Sequence, residues 1–150
     1  MQSAKTQDKL VTGYVPGGFD MFHIGHLNIL KEAAKRCDRL IVGVATDESL
    51  IEMKGHAPMI TFDERRQIVE ALGIVDLAVA DHSQDKRRAW QDNHFDVLFK
   101  GSDWRGTAKG DRLEAEMAEV GAEVIYLPYT LSTSSTLLRK AVHEVAAASA

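Results

Sequence analysis

Gly13-Tyr14-Val15-Pro16-Gly17-Gly18-Phe19-Asp20-Met21-Phe22-His23-Ile24-Gly25-His26 decides the fold of this chain: an apolar run, a glycine turn, then two histidines three residues apart. Lys9 to Val15 has the length and composition of a buried strand, Pro16-Gly17-Gly18 breaks it, and Leu27 to Cys37 carries helical spacing at Leu27, Leu30, Ala33 and Ala34. The histidines therefore open a helix. At a helix start the first backbone N–H groups lack partners and the dipole is positive, so an anion is favoured there. Two imidazoles at i and i+3 share one face of that turn. Glycines just upstream let the backbone approach a phosphate chain with no side chain in the way. The stretch reads as a phosphate site, and the competing reading is a strand-turn-helix whose histidines only cap or face solvent.

Working outward, Arg39-Leu40-Ile41-Val42-Gly43-Val44-Ala45 is a continuous apolar run of the kind buried on both faces of a parallel sheet. Glu52 to Ile60, with Gly55 and Pro58, reads as a loop, and Thr61-Phe62-Asp63-Glu64 fits a capping box opening a helix over Ile68, Val69 and Leu72. Ile74 to Ala80 reads as a third strand, Gln84 to His94 as a helix and Phe95 to Lys100 as a fourth strand. Gly101 to Gly110 is a glycine-punctuated loop, Asp111 with Glu114 caps a helix to Val120, Glu123 to Leu127 is a fifth strand, and Leu137 to Val145 is the last helix. Strands alternating with helices imply parallel crossovers: an α/β, Rossmann-like, doubly wound five-stranded parallel sheet with helices on both faces. Ligands of such sheets lie beyond the carboxyl ends of the strands.

The 150 residues, 45% apolar and 27% charged, suit a single domain spanning 1–150 with an ordered core of about 9–145. A net charge of −4 argues against a nucleic-acid partner, because phosphate-backbone binding needs a basic face. The lone Cys37 has no second cysteine for a disulfide or a thiolate metal site, which suits a reducing compartment. No apolar run approaches ~20 residues and no signal-peptide core opens the chain. The expectation is a cytoplasmic protein without a membrane partner.

The segment Gly-Gly-Phe-Asp-Met-Phe-His-Ile-Gly-His resembles the His-x-Gly-His signature of the nucleotidyltransferase superfamily, and within it the cytidylyltransferases, most of all the glycerol-3-phosphate cytidylyltransferases. The resemblance runs from about Thr12 to Arg139 through three further blocks in order: Ala45-Thr46-Asp47-Glu48, Lys100-Gly101-Ser102-Asp103-Trp104-Arg105-Gly106, and Leu127-Pro128-Tyr129-Thr130 leading to Ser134-Ser135-Thr136. It implies attack by a phosphate oxygen of a small phosphomonoester on the α-phosphorus of a nucleoside triphosphate, CTP in preference, with pyrophosphate as leaving group. It assigns catalysis to His23, His26 and Lys54. Nucleotide binding falls to Gly17, Gly18, Phe19, Asp20, Gly25, Lys100, Asp103, Tyr129, Thr130, Ser134, Ser135 and Thr136. Acceptor binding falls to Asp47, Lys54 and Arg65. Asp20 reads equally as the helix N-cap, Lys54 as a solvated surface lysine, Arg65 as half of a structural ion pair, and one of Ser134, Ser135 and Thr136 as a simple N-cap. Mg²⁺ is expected on the substrate phosphates rather than in a protein cage, and zinc on His23 and His26 would need further soft or carboxylate ligands nearby. The similar enzymes are dimers, which implies a homodimer here.

Three positions depart from that family. Tyr129 follows the Leu-Pro pair where the family has an arginine, Gly73 stands where it has another, and no tryptophan lies near Gln84. Arg105, Lys109 or Arg112 could replace the missing charge. An adenylyltransferase using ATP shares the histidines and fold, so it is the alternative, followed by a non-catalytic nucleotide-binding module. A class I aminoacyl-tRNA synthetase fragment also carries His-Ile-Gly-His, but this chain lacks a Lys-Met-Ser-Lys-Ser segment and a basic face.

Overall fold

The computed structural model describes residues 9–128 and 134–149. Five strands, β1 (Thr12–Gly17), β2 (Arg39–Ala45), β3 (Leu77–Asp81), β4 (Val97–Gly101) and β5 (Glu123–Leu127), form one sheet in the order β3-β2-β1-β4-β5. All four pairings are parallel, with Tyr14 opposite Ile41 and Leu98, Val42 opposite Ala78, and Phe99 opposite Ile125. The helices are α1 (Ile24–Ala34), α2 (Asp47–Lys54), α3 (Phe62–Glu70), α4 (Lys86–Asn93), α5 (Ala108–Val120) and α6 (Ser135–Ala148), with a 3₁₀ turn at Ser102–Trp104. The doubly wound sheet expected from the alternation is the fold observed.

Side-chain alternation along the strands splits the core into two layers. Val15, Val42, Val44 and Phe99 pack with Leu30 and Ala33 of α1 and Val69 of α3. Tyr14, Ile41 and Leu98 pack with Ala89 of α4 and with Leu113 and Met117 of α5. Each fully buried Leu, Val or Phe contributes roughly 1.5–3 kcal/mol, so these layers rather than surface charge hold the sheet. α6 buries no residue fully and leaves Leu137, Val142 and Val145 exposed. No helix among the described residues is long and apolar enough to cross a membrane.

Several boundaries differ from the sequence reading. β1 runs through Pro16 to Gly17 instead of stopping at Val15. Pro16 has no N–H to donate, and it lies beyond Tyr14, the last β1 residue paired with β4. The stretch expected to be loop from Glu52 begins inside α2, which Thr46 caps through Oγ1 on Ser49 N–H at 3.1 Å and left-handed Gly55 (φ 80) ends. Lys54 therefore sits on the last turn of a helix rather than in a loop. The capping box at Thr61 does not form: Thr61 makes no side-chain cap, and Asp47 Oδ1 takes the Phe62 N–H at 3.0 Å instead. Thr107, not Asp111, caps α5, accepting from Gly110 N–H at 3.1 Å. α6 starts at Ser135, ahead of the expected Leu137.

Gly43 is fixed by a close approach. A Cβ there would collide with the Tyr14 hydroxyl, which crosses β2 to donate to Asp81 Oδ2 at 2.6 Å.

Candidate active site

The turn between β1 and α1 carries two non-glycine residues in the left-handed region, Phe19 (φ 54) and Met21 (φ 50). Such residues cost of order 1 kcal/mol or more and persist only where their surroundings hold them. Asp20, between them, is 3% exposed, and its carboxylate accepts from the N–H groups of Met59 (2.8 Å) and Ile60 (2.9 Å) and from Arg139 Nη2 (3.1 Å). Burial alone would raise its pKa; the two N–H groups and the guanidinium outweigh burial and hold it below the usual carboxylate range. Its carbonyl accepts the Ser135 hydroxyl. Asp20 is therefore not the N-cap of α1, one of the two roles it could have had, but the post that ties the glycine turn to the 56–60 loop and to α6.

The N-cap is His23. Its Nδ1 accepts from Gly25 N–H at 3.0 Å, while His26 Nδ1 accepts from His23 N–H at 3.3 Å, a reciprocal capping box made of histidines. The two rings stack with centroids 3.9 Å apart. A neutral imidazole that accepts at Nδ1 carries its proton on Nε2. Both rings thus present Nε2–H donors in one fixed tautomer. Burial lowers the pKa of both; for His26, burial and then the His23 charge push it down to about 3. Before an anion arrives the pair acts as neutral donors, not cations.

A small cleft opens beside them, lined by Gly18, Phe19, Asp20, His26, Lys54, Ser135 and Arg139, with Leu50, His56 and Pro58. The Lys54 pKa is lowered by burial and then by Arg139, so the two cations crowd one space. Among the described residues, the buried Arg139 Nε has no hydrogen-bond partner. Unpaired buried N–H groups of a cation next to a depressed lysine are what a bound polyanion would satisfy. Arg139 and His56 escaped the sequence reading. For Arg139 a signal existed, because it lies four residues after Ser135 and so on the same helix face; for His56 none did.

Other expected residues fall elsewhere. Arg65 is 1% exposed and spends its guanidinium on protein oxygens: Ile60 O (2.9 Å), Gly18 O (2.6 Å), Ala45 O (2.7 Å) and Asp47 Oδ1 (2.7 Å). In this state neither Arg65 nor the Asp47 oxygen it holds is offered to an acceptor; both brace the turn. Ser134 Oγ caps α6 through Leu137 N–H at 3.1 Å, Ser135 serves Asp20, and Thr136 is exposed on the first turn. Gly17 and Gly25 shape the strand end and helix start: a Cβ on Gly17 would press on the Phe19 ring at 2.9 Å, and Gly25 is buried. Lys100 lies in β4 and Asp103 in the 3₁₀ turn after it; neither is among the residues lining the cleft, and Lys100 Nζ is 4.1 Å from the Trp104 ring centroid. Arg105 and Lys109 lie over Tyr126 and Trp104, at 5.1 and 5.8 Å. Tyr129 and Thr130 lie outside the described residues.

Residues 14–141 match the model of the cytidylyltransferase-like family. The chain is 31% identical over 127 residues to glycerol-3-phosphate cytidylyltransferase of Bacillus subtilis, covering 84% of this chain and 92% of that one. It is 28% identical over 142 residues to FAD synthase of Thermococcus sibiricus, covering 94% of each. Among solved structures, the lipopolysaccharide core biosynthesis protein of Thermoplasma volcanium superposes with a TM-score of 0.67 at 26% identity, over 81% of this chain and 97% of that one. The strand order, the histidine-capped helix start and these matches agree: the chain belongs to the cytidylyltransferase-like family of nucleotidyltransferases.

Proposed function

We propose that this protein transfers CMP from CTP to a small alcohol phosphate of the glycerol 3-phosphate type and releases pyrophosphate. The observation that carries the reading is the histidine pair, whose capping bonds leave two Nε2–H donors at a helix start beside Lys54 and Arg139. An acceptor phosphate oxygen attacks the α-phosphorus, a new P–O bond forms, the bond to the α,β-bridging oxygen breaks, and pyrophosphate keeps the electron pair. Charge grows on the bridging oxygen and β-phosphate, where donors held in place before reaction are each worth about 10²–10³ in rate. Lys54 and Arg139 supply the positive field for the β- and γ-phosphates, and Arg139 offsets the arginine missing at Tyr129. Gly17, Gly18 and Phe19 form the turn that lets the phosphates approach the backbone, and Asp103 with Tyr129 and Thr130 is assigned to the nucleoside. A magnesium ion, if bound, would be held by triphosphate oxygens and water and would offset the charge of the leaving pyrophosphate.

Adenylyl transfer from ATP is the second reading, favoured by the similarity to an FAD synthase. Pyrophosphate release measured over the four nucleoside triphosphates, crossed with a panel of alcohol phosphates, separates the two. Turnover with CTP and a three-carbon phosphate is expected; release only with ATP transfers the assignment, and no release with any pair leaves a nucleotide-binding module. A cytoplasmic homodimer is part of the proposal, and a monomer by sedimentation at micromolar concentration would remove that part.

A further inference from the structure

The cleft beside the histidine pair is walled mostly by donors: His26 presents an Nε2–H, Lys54 an ammonium and Arg139 a guanidinium. Acceptors on the same wall are already engaged. The Asp20 carboxylate takes Met59 N–H, Ile60 N–H and Arg139, the Gly18 carbonyl takes Arg65 Nη1, and the Ser135 hydroxyl is spent on the Asp20 carbonyl. His56 differs. Its Nδ1 lies 3.2 Å from Ala57 O, and because a carbonyl oxygen brings no hydrogen, the proton of that bond sits on Nδ1. The neutral ring then offers a lone pair at Nε2, the reverse of the tautomer that the capping bonds impose on His23 and His26.

His56 is exposed, yet its loop is fastened at both ends. Gly55, left-handed at φ 80, closes α2 with its N–H on Ile51 O at 2.7 Å, while Asp20 holds the Met59 and Ile60 N–H groups and Arg65 Nε holds Ile60 O at 2.9 Å. A group placed in advance by its loop loses less freedom on binding than one on a free chain. This loop follows β2 and α2, and β2 lies on one side of β1; β4 and β5, which lead to the residues assigned to the nucleoside, lie on the other. His56 thus lines the cleft from the side away from the nucleoside.

We propose that His56 sets acceptor specificity: its Nε2 accepts a hydrogen bond from a carbon-bound hydroxyl of a polyol phosphate whose phosphate lies in the field of Lys54. The inference rests on the nucleotidyltransferase reading for the identity of the second substrate. An alkyl phosphate without hydroxyls strips water from Nε2 and gives no donor in return, whereas a hydroxyl replaces the lost hydrogen bond. Hydroxylated acceptors are therefore preferred. No proton is transferred to His56 in this role, and the attacking group remains the phosphate oxygen.

Glycerol 3-phosphate and propyl phosphate serve as probes, equal in charge and carbon chain and different only in hydroxyls, titrated calorimetrically with and without a methylene-bridged CTP analogue. In the wild type glycerol 3-phosphate should bind about 3–10-fold more tightly, the worth of one net hydrogen bond. In His56→Phe, which keeps a ring but has no acceptor, that ratio should fall below about twofold through loss of glycerol 3-phosphate affinity. His56→Gln, whose Oε1 can take the place of Nε2, should recover part of the ratio. A ratio unchanged in His56→Phe overturns the proposal, and so does equal weakening of both esters. Loss of a preference for CTP over 2′-deoxy-CTP, with the ester ratio intact, overturns it by placing His56 on the ribose. ¹⁵N spectra of the free wild type at about pH 8 should show the His56 proton on Nδ1; a ring protonated on Nε2 overturns the proposal without any ligand. If the wild type binds neither ester the proposal fails, while pyrophosphate release from CTP with another acceptor leaves the nucleotidyltransferase reading standing. If no pair of substrates releases pyrophosphate that reading fails, and the ester ratio, read by binding alone, still decides the role of His56.

Discussion

Replacing Arg65 tests whether this residue braces the turn or grips substrate. Arg65→Met removes four hydrogen bonds, and three of the abandoned acceptors are main-chain carbonyls of Gly18, Ala45 and Ile60. The fourth, the Asp47 carboxylate, is 35% exposed against 0% for the arginine side chain and recovers water. A buried acceptor left unpaired costs about 1–3 kcal/mol, and breaking a buried ion pair about 3–5 kcal/mol. Allowing for partial hydration of the carbonyls and of Asp47, a loss of about 4 kcal/mol is expected, a large part of the 5–15 kcal/mol typical of a domain. With a urea slope of about 2 kcal/mol/M, the unfolding midpoint should fall by about 2 M. Arg65→Lys should recover little of it, since one ammonium cannot span the four acceptors that a planar fork reaches. The assay is equilibrium urea unfolding followed by circular dichroism, paired with the KM of the acceptor. A midpoint within about 0.3 M of the wild type, together with a rise confined to the acceptor KM, would falsify the bracing role and return Arg65 to the substrate.

Ala at either His23 or His26 should lower kcat at least about 10²-fold with the fold retained by circular dichroism; near-normal turnover in a folded variant removes that histidine from catalysis. Arg139→Met should weaken triphosphate binding by about 10–100-fold, the worth of a charged hydrogen bond of about 1.5–3 kcal/mol, and calorimetric titration giving wild-type affinity rejects Arg139 as a phosphate contact. The folded pKa of His26, about 3, lies below its ordinary value of 6.5, so the unfolded chain binds the extra proton first. The stability held by the neutral ring is complete above about pH 6.5 and declines as pH falls toward 3. Between pH 7.5 and 5 the urea midpoint of the wild type should therefore fall more than that of His26→Gln, and parallel falls contradict the neutral-donor assignment.

The sheet was legible because its signals are local. Arg39 to Ala45 and Glu123 to Leu127 are short runs rich in β-branched and apolar residues, and both are strands over those residues. α2 was missed although Thr46, Asp47, Glu48 and Gly55 mark its two ends, because the eight residues between Thr46 and Gly55 mix polar and apolar side chains with weak periodicity. The histidine turn was legible for the same local reason, as cap, glycine and imidazole all fall within a few residues. The partners of Asp20 and Arg65 were not. Asp20 meets Met59 and Ile60 across 39 and 40 residues and Arg139 across 119, distances over which spacing carries no signal. An arginine bound by carbonyls and one bound to a phosphate look the same in sequence; burial tells them apart, and burial follows from the whole fold.

Tyr14 and Gly43 share one volume, with the hydroxyl of the first occupying the place of the missing side chain of the second. Their substitutions are therefore strongly non-additive. In a library randomising both positions, survivors should separate into two allowed genotypes: tyrosine with glycine, or a smaller residue at 14 with alanine or serine at 43. A route from one to the other that enlarges residue 43 first crosses a clash, whereas one that trims Tyr14 first leaves a cavity and takes one donor from Asp81, whose Oδ1 keeps its bond to Lys86. The order of the two mutations, more than either alone, governs whether the lineage survives.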